Sequence, residues 1–293
     1  MRSLKSLEGA VGVSVVHPTW QRTRPDEPDD THCGWVFADA KDAPLTPVSG
    51  SGAVACEGCV PDSINGASSV RALYDLDRSN RSAGAKCAGK YTVPVLWDKK
   101  TSTIVNNESA EIVRMLDGVF CPRFGDASSP SLYPPAARAE IDAVNAWVYD
   151  SINNGVYKCG FATTQAAYDA AACALFTALD RVETILEAQR YIVSGSQLTE
   201  ADVRLFMTLV RFDEVYVVYF KCNKRALSTY PNMRNYMREL FQLPSIRDNV
   251  HMAHIKAHYF TSHAKLNAYS IIPVGPDVVS DLNMPHDRDR FKK

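Results

Sequence analysis

Residues 92–116 read TVPVLWDKKTSTIVNNESAEIVRML, and the order of patterns in this stretch decides the architecture: strand, turn, strand, helix start. Val93, Val95 and Trp97 alternate with Leu96, as in a pleated strand with both faces at least partly covered. Asp98-Lys99-Lys100-Thr101-Ser102 is a polar turn, and Thr103-Ile104-Val105 resumes the strand. A helix opens near Asn107-Glu108-Ser109, with Ile112, Val113 and Leu116 at helical spacing. Pro94 cannot donate to a sheet ladder, which places it at the strand's leading edge. A helix start of this kind offers free N–H groups and the Ser109 hydroxyl to a carboxylate, while Glu108 can accept from an ammonium group. The plainer account of the same pair is a capping serine and a first-turn acid favoured by the helix dipole.

The chain has 293 residues, which suits two domains that each bury a core. Apolar residues make up 46 % and charged residues 22 %, ordinary values for a globular protein. A net charge of −1 creates no field favouring nucleic acid or an anionic membrane, and the polybasic runs such partners need are absent. No apolar run approaches the length of a membrane span, and the opening MRSLKSLEGA lacks the apolar core of a signal peptide. A cytoplasmic protein is therefore expected. The eight cysteines follow no framework spacing and read as reduced thiols. Cys56 and Cys59 form a C-x-x-C, the spacing of a redox pair or half a zinc site. It lies in a turn-rich stretch ending in Pro61, with no second ligand pair at zinc-like spacing, and no metal is expected.

Elsewhere the β-branched run VGVSVV at 11–16 predicts a buried strand ended by His17-Pro18. Residues 38–69, rich in Ala, Gly, Ser and Pro, predict a long loop, functional or disordered. A helical turn or two follows, carrying Val70, Leu73 and Tyr74 inward, and 78–90 is a linker. Pro122, Gly125 and Pro130 mark 117–131 as a boundary between domains at 1–125 and 132–293. Beyond it, Ile141, Val144, Trp147, Val148 and Ile152 share one helix face, stopped by Asn153-Asn154-Gly155. VYKCGF at 156–161 is a connector, and Thr164 caps a helix that keeps three/four spacing to Leu186. Thr199 and Asp202 form a capping box at the start of a buried helix over 201–219. Further helices are predicted over 232–240 and 245–259.

The strings VPVLWDK, TIVNNESAEI, VYKCGFA, IKAHYFTSH and IIPVGP resemble the glutathione transferases of the xi class, also called glutathionyl-hydroquinone reductases. The resemblance covers nearly the whole chain, and the T-x-x-D box is common to glutathione transferases in general. It implies an α/β thioredoxin-like domain followed by an all-α domain with an extended tail. It also implies glutathione as co-substrate, a quinone-derived or other electrophilic small molecule as acceptor, and a homodimer. On this resemblance Val93–Pro94 is a cis peptide whose backbone pairs with glutathione as an added strand. Glu108 and Ser109 hold the γ-glutamyl end, and Trp35, in Cys33-Gly34-Trp35-Val36-Phe37, lies beside glutathione. Tyr157 and Tyr259 point into the acceptor pocket, where a phenol can bind a hydroquinone oxygen. With 13 tyrosines in the chain, either one taken alone reads equally as a packing residue. His254, His258 and His263 flank Tyr259; the first two lie one turn apart, without an acidic partner at a motif spacing.

The family's nucleophile is a cysteine in a C-P-W-A string. Its thiolate attacks the sulfur of a glutathionyl adduct, and a second glutathione resolves the mixed disulfide. The present sequence contains no such string. Lining up VGVSVVHP and GWVF with the family sets Met1 inside the first helix, so the first strand and the motif are expected to be missing and the sheet one interior strand short. A start assigned too far downstream ranks first as the reason, ahead of a protein that keeps binding but not chemistry. A substitute thiol ranks last, with Cys33 ahead of Cys59 and Cys159. The leading expectation is a glutathione-dependent thiol transferase acting on glutathionyl-hydroquinones. Its rival is a non-catalytic glutathione-transferase-like binding or scaffold protein.

Overall fold

A computed structural model describes residues 1–77, 90–195 and 197–291; the linker read at 78–90 lies outside them except for its last residue. The elements in chain order are β1 (Gln21–Arg22), β2 (Cys33–Gly34), α1 (Val70–Leu76), β3 (Leu96–Asp98), β4 (Thr103–Asn106) and α2 (Ser109–Met115). They continue with α3 (Arg138–Val148), α4 (Gly155–Gly160), α5 (Gln165–Ala188), α6 (Glu200–Arg211), α7 (Pro231–Phe241) and α8 (Met252–Ser262). These residues gather into two compact units whose memberships interleave along the chain. One comprises Met1–Arg2, Ser6–Gly125 and Ala253–Ile272; the other takes Ser3–Lys5, Asp126–Met252 and the residues from Pro273 onward. Segment 253–272, predicted as part of the helical half, thus groups with the first unit.

In the first unit the sheet is sparse. β1 pairs antiparallel with β2, and β3 with β4, the latter with a register shift between Leu96 and Trp97. The predicted buried strand at 11–16 supplies only single bridges, Val15 to Val60 and Val16 to Phe37, and Val13 stands half exposed. Branched side chains favour extended backbone, but a ladder needs partners along its length, and here each neighbour meets the run at one residue. β3 likewise starts at Leu96 rather than Val93, because the donorless Pro94 precedes it. Loop 38–69 is built from local bonds. Its Asp62 carboxylate accepts from the N–H groups of Ile64, Asn65 and Ala67 at 3.1–3.2 Å, and Cys56 and Cys59 are buried beside Ala38. Ser69 caps α1 by accepting from Ala72 N–H at 3.1 Å, with Val70, Leu73 and Tyr74 inward as their spacing predicts. The helical path does not stop where α2 ends at Met115. A π turn over Leu116–Phe120 carries the chain into another helical turn, Cys121–Phe124, where Pro122 sits in the first positions and its missing N–H is tolerated.

The second unit is helical. Ile141, Val148, Ile152, Val156, Leu175, Leu179, Val182 and Leu186 are fully buried, as are Leu205, Phe206 and Leu209 of α6 and Phe212 just after it. The predicted stop at Asn153-Asn154-Gly155 is overridden. Tyr149–Asn153 forms a π turn, Asn154 stays in the helical region, and VYKCGF becomes α4 instead of a connector. Burying Ile152 and Val156 outweighs the small propensity penalty of the Asn pair. Gly160 is required there, because a Cβ would strike the ring of Phe220. Thr164 accepts from Ala167 N–H at 3.2 Å to cap α5, as predicted. Carbonyls at and just beyond the end of α5 are satisfied by the fully buried Arg288, which donates to Leu186 O at 2.7 Å and to Gln189 O and Arg190 O at 2.6 Å. The helix predicted over 245–259 is broken. A single turn, Pro244–Arg247, closes through Asn249 and Val250 N–H groups bonding back to Ile246 and Arg247, and α8 starts afresh at Met252. Among the described residues no helix is long and apolar enough to cross a membrane.

Candidate active site

The start of α2 departs from a plain capping arrangement. Glu108 occupies the cap position in an extended conformation, and its side chain makes no capping bond; Ser109 is the first helical residue. The Glu108 N–H is instead held by Asn106 Oδ1 at 2.6 Å. Both Glu108 and Ser109 are exposed, so neither carboxylate nor hydroxyl is spent on the helix, and the first-turn N–H groups carry the usual partial positive charge. The backbone leading to Pro94 is tied to this corner. Tyr74 Oη donates to Thr92 O at 3.1 Å, and Asn107 Nδ2 donates to Thr92 Oγ1 at 3.0 Å. The next peptide, Val93–Pro94, is cis, as the resemblance implies, and both residues are exposed. An exposed stretch of backbone and a helix start with an uncommitted acid are thereby fastened to one another.

Trp35 belongs to the same unit. Its carbonyl accepts from Val70 N–H at 3.0 Å. Its indole stacks on the ring of His258 (centroids 4.3 Å apart, 29° between planes) and meets Trp20 edge-on at 5.9 Å. Since a carbonyl only accepts, the 3.0 Å contact of His258 Nδ1 with Pro18 O puts the proton on Nδ1. The Ser262 hydroxyl donates to the same carbonyl at 3.1 Å and accepts from Trp20 N–H at 3.1 Å. The buried hydroxyls of Thr19 and Thr261 bond at 2.6 Å. Tyr259, the next residue of α8, is buried with its ring 5.3 Å from that of His258. Burial lowers the pKa of His263, whose ring is 4.9 Å from that of Trp20. Tyr157 belongs to the other unit, within an aromatic group formed with Phe161, Tyr216 and Phe220.

Trp35, Val93, Pro94, Glu108, Ser109 and Tyr259 therefore belong to one unit and Tyr157 to the other. No local pattern marks Trp20, and His258 was legible only as a neighbour of Tyr259. The cysteines weighed as substitute nucleophiles are poorly suited to that role. Burial pushes the Cys33 thiol up against the opposing pull of Arg22, and pushes Cys59 up to about 11 with help from Cys56 and Asp42. Cys159 is lowered by a hydrogen bond with Cys222, but both are buried. Among the described residues no group of three His, Cys, Asp or Glu side chains is placed to hold a metal ion.

The approach to Trp35 is also braced electrostatically. Arg71 bonds Asp30, which helps fix the β1–β2 hairpin, and holds its carboxyl down to about 2, with His32 N–H assisting. A carboxyl lowered in the folded state stabilises above its unfolded pKa of about 4 and loses that contribution as pH falls. An NMR titration should therefore find Asp30 still ionised at pH 3, and Asp30→Asn should flatten the decline in thermal midpoint between about pH 4 and pH 2.

Two family models match the chain: the glutathione S-transferase N-terminal domain over residues 12–119 and the C-terminal domain over 165–239. The glutathionyl-hydroquinone reductase YqjG of Escherichia coli K12 is 43 % identical over 289 residues, covering 99 % of this chain and 77 % of that one. The chain belongs to the glutathione transferase family, in its xi class. The crystal structure of the xi glutathione transferase from Phanerochaete chrysosporium is 44 % identical and superposes with a TM-score of 0.82, over 98 % of this chain and 86 % of that one. A glutathione-bound structure of YqjG from Escherichia coli K-12 gives a TM-score of 0.82 at 42 % identity, over 98 % and 82 % of the two chains. This xi-class chain thus has a thioredoxin-like N-terminal domain and a helical C-terminal domain.

Proposed function

We propose that this xi-class chain binds glutathione and uses it to reduce glutathionyl-hydroquinones. The observation that carries the reading is the corner where the exposed backbone of Val93–Pro94 adjoins an α2 start with Glu108 and Ser109 uncommitted. Such a corner suits a γ-glutamyl peptide. Main-chain pairing takes its extended middle, the helix start and the Ser109 hydroxyl take its carboxylate, and Glu108 takes its ammonium. Trp35 would flank the tripeptide. Tyr259 would hold the acceptor and hydrogen-bond its phenolic oxygen. In the reaction a glutathione thiolate attacks the sulfur of the adduct, the carbon–sulfur bond breaks, the ring carbon takes a proton, and the two sulfurs leave joined as glutathione disulfide. The similarity to an Escherichia coli protein named for this activity supports the substrate class.

The upward-shifted thiols of Cys33, Cys56 and Cys59 favour a second reading, a glutathione-transferase-like module that binds without turnover. Calorimetric titration with glutathione, paired with a steady-state assay on a glutathionyl-hydroquinone, separates the two. Binding with turnover is the expected result, binding alone selects the module, and no binding at all removes both. A homodimer in the cytoplasm completes the proposal, and light scattering of the purified chain tests the dimer.

A further inference from the structure

The geometry points to His258 as the positioning residue that sets the plane of Trp35, and thereby the affinity of the glutathione subsite; this rests on the reading of that subsite above. The backbone of Trp35 is fixed by Val70 N–H, but backbone ties do not choose the orientation of an indole, whose terminal torsion is broad. The choice is made by ring contacts, and the closest is the His258 stack at 4.3 Å. The His258 ring is itself held. Nδ1–H donates to Pro18 O, and the Ser262 hydroxyl buttresses that carbonyl while accepting from Trp20 N–H. Trp20, closing on the edge of Trp35 at 84°, belongs to the same network. The plane of Trp35 is thus inherited from α8 through one imidazole. Because Tyr259 is the next residue on that helix, the acceptor-side phenol and the imidazole that orients the glutathione-side indole share one element.

Two substitutions separate ring from donor. His258→Asn keeps an N–H at the place of Nδ1 for Pro18 O and removes the stack; His258→Phe keeps a stacking ring and removes the donor. Each is examined by near-ultraviolet circular dichroism, with a Trp35→Phe difference spectrum isolating the Trp35–Trp20 pair, and by calorimetric titration with glutathione. The expected result is that Asn diminishes the Trp35 band and weakens glutathione about tenfold, the scale of an aromatic stack, whereas Phe retains most of both. A role confined to anchoring Pro18 gives the reverse order, with Phe damaging and Asn harmless, and overturns the proposal. So does an Asn variant with an unchanged Trp35 band. If the wild-type protein gives no heat with glutathione, the subsite reading falls by itself, and the dichroism of the ligand-free variants still decides whether His258 sets the indole.

Discussion

Glu108→Ala should weaken glutathione binding by about 10- to 100-fold, the equivalent of losing one charge-assisted hydrogen bond worth about 1.5–3 kcal/mol. The side chain is exposed and makes no capping bond, so the folded protein hardly needs it. The stability should stay within about half a kcal/mol of wild type, the small dipole contribution of an acid at a helix start. Glu108→Gln, which keeps an acceptor and loses the charge, should fall between the two. Ser109→Ala removes one neutral donor and should cost only a few-fold. Because the acid is exposed, its share of the affinity should shrink as salt is raised. Calorimetry on the three variants checks the series. Unchanged affinity in Glu108→Ala would mean that the ammonium end of glutathione is held elsewhere.

Asp202→Ala is expected to have the largest effect on stability, about 3–5 kcal/mol, which in a unit of this size lowers the melting midpoint by roughly 10 °C. The carboxylate is completely buried and serves four donors. Oδ2 takes Thr199 N–H at 2.9 Å and the Thr199 hydroxyl at 2.8 Å; Oδ1 takes Ile192 N–H at 2.8 Å and the Tyr236 hydroxyl at 2.9 Å. Burial pushes its pKa up while the donors pull it back. Removing it strands four buried donors at once, each with a desolvation cost of about 1–3 kcal/mol before relaxation. Asp202→Asn keeps the shape but turns one oxygen into a donor facing donors, and should lose an intermediate amount. Glutathione affinity at the first unit should be unaffected in either variant below its melting transition.

The same residue shows where a one-dimensional reading stops. The T-x-x-D spacing identifies the cap, because a box is a local object. The bonds from Ile192 and Tyr236 come from other parts of the chain and leave no periodic trace. The three/four spacing of α5 and the Thr164 cap were equally legible, as was the start of α2 at Ser109. The stop signal at Asn153-Asn154-Gly155 and the opening of the boundary segment as early as residue 117 misled for one physical reason. They report a local cost of at most a few kcal/mol, and π turns let the chain absorb it while keeping Ile152, Val156 and Leu116 buried. VGVSVV misled in the opposite direction, since β propensity is satisfied only when a neighbouring strand is present. In the candidate site, Glu108 and Ser109 could be read from a helix start. Trp20 and His258 could not, since what distinguishes them is a stacked geometry between segments far apart in the chain.

The interleaving of the two units carries a consequence for how the protein comes off the ribosome. A chain whose domains follow one another can fold the first while the second is being translated, at about 5–20 residues per second. Here the unit that contains Trp35 and Glu108 also needs Ala253–Ile272, and the helical unit draws on Ser3–Lys5 and on Arg288. Neither unit has all of its segments until residues beyond 252 have been made. Until then Trp20 and Trp35 lack the His258 and His263 rings that pack against them.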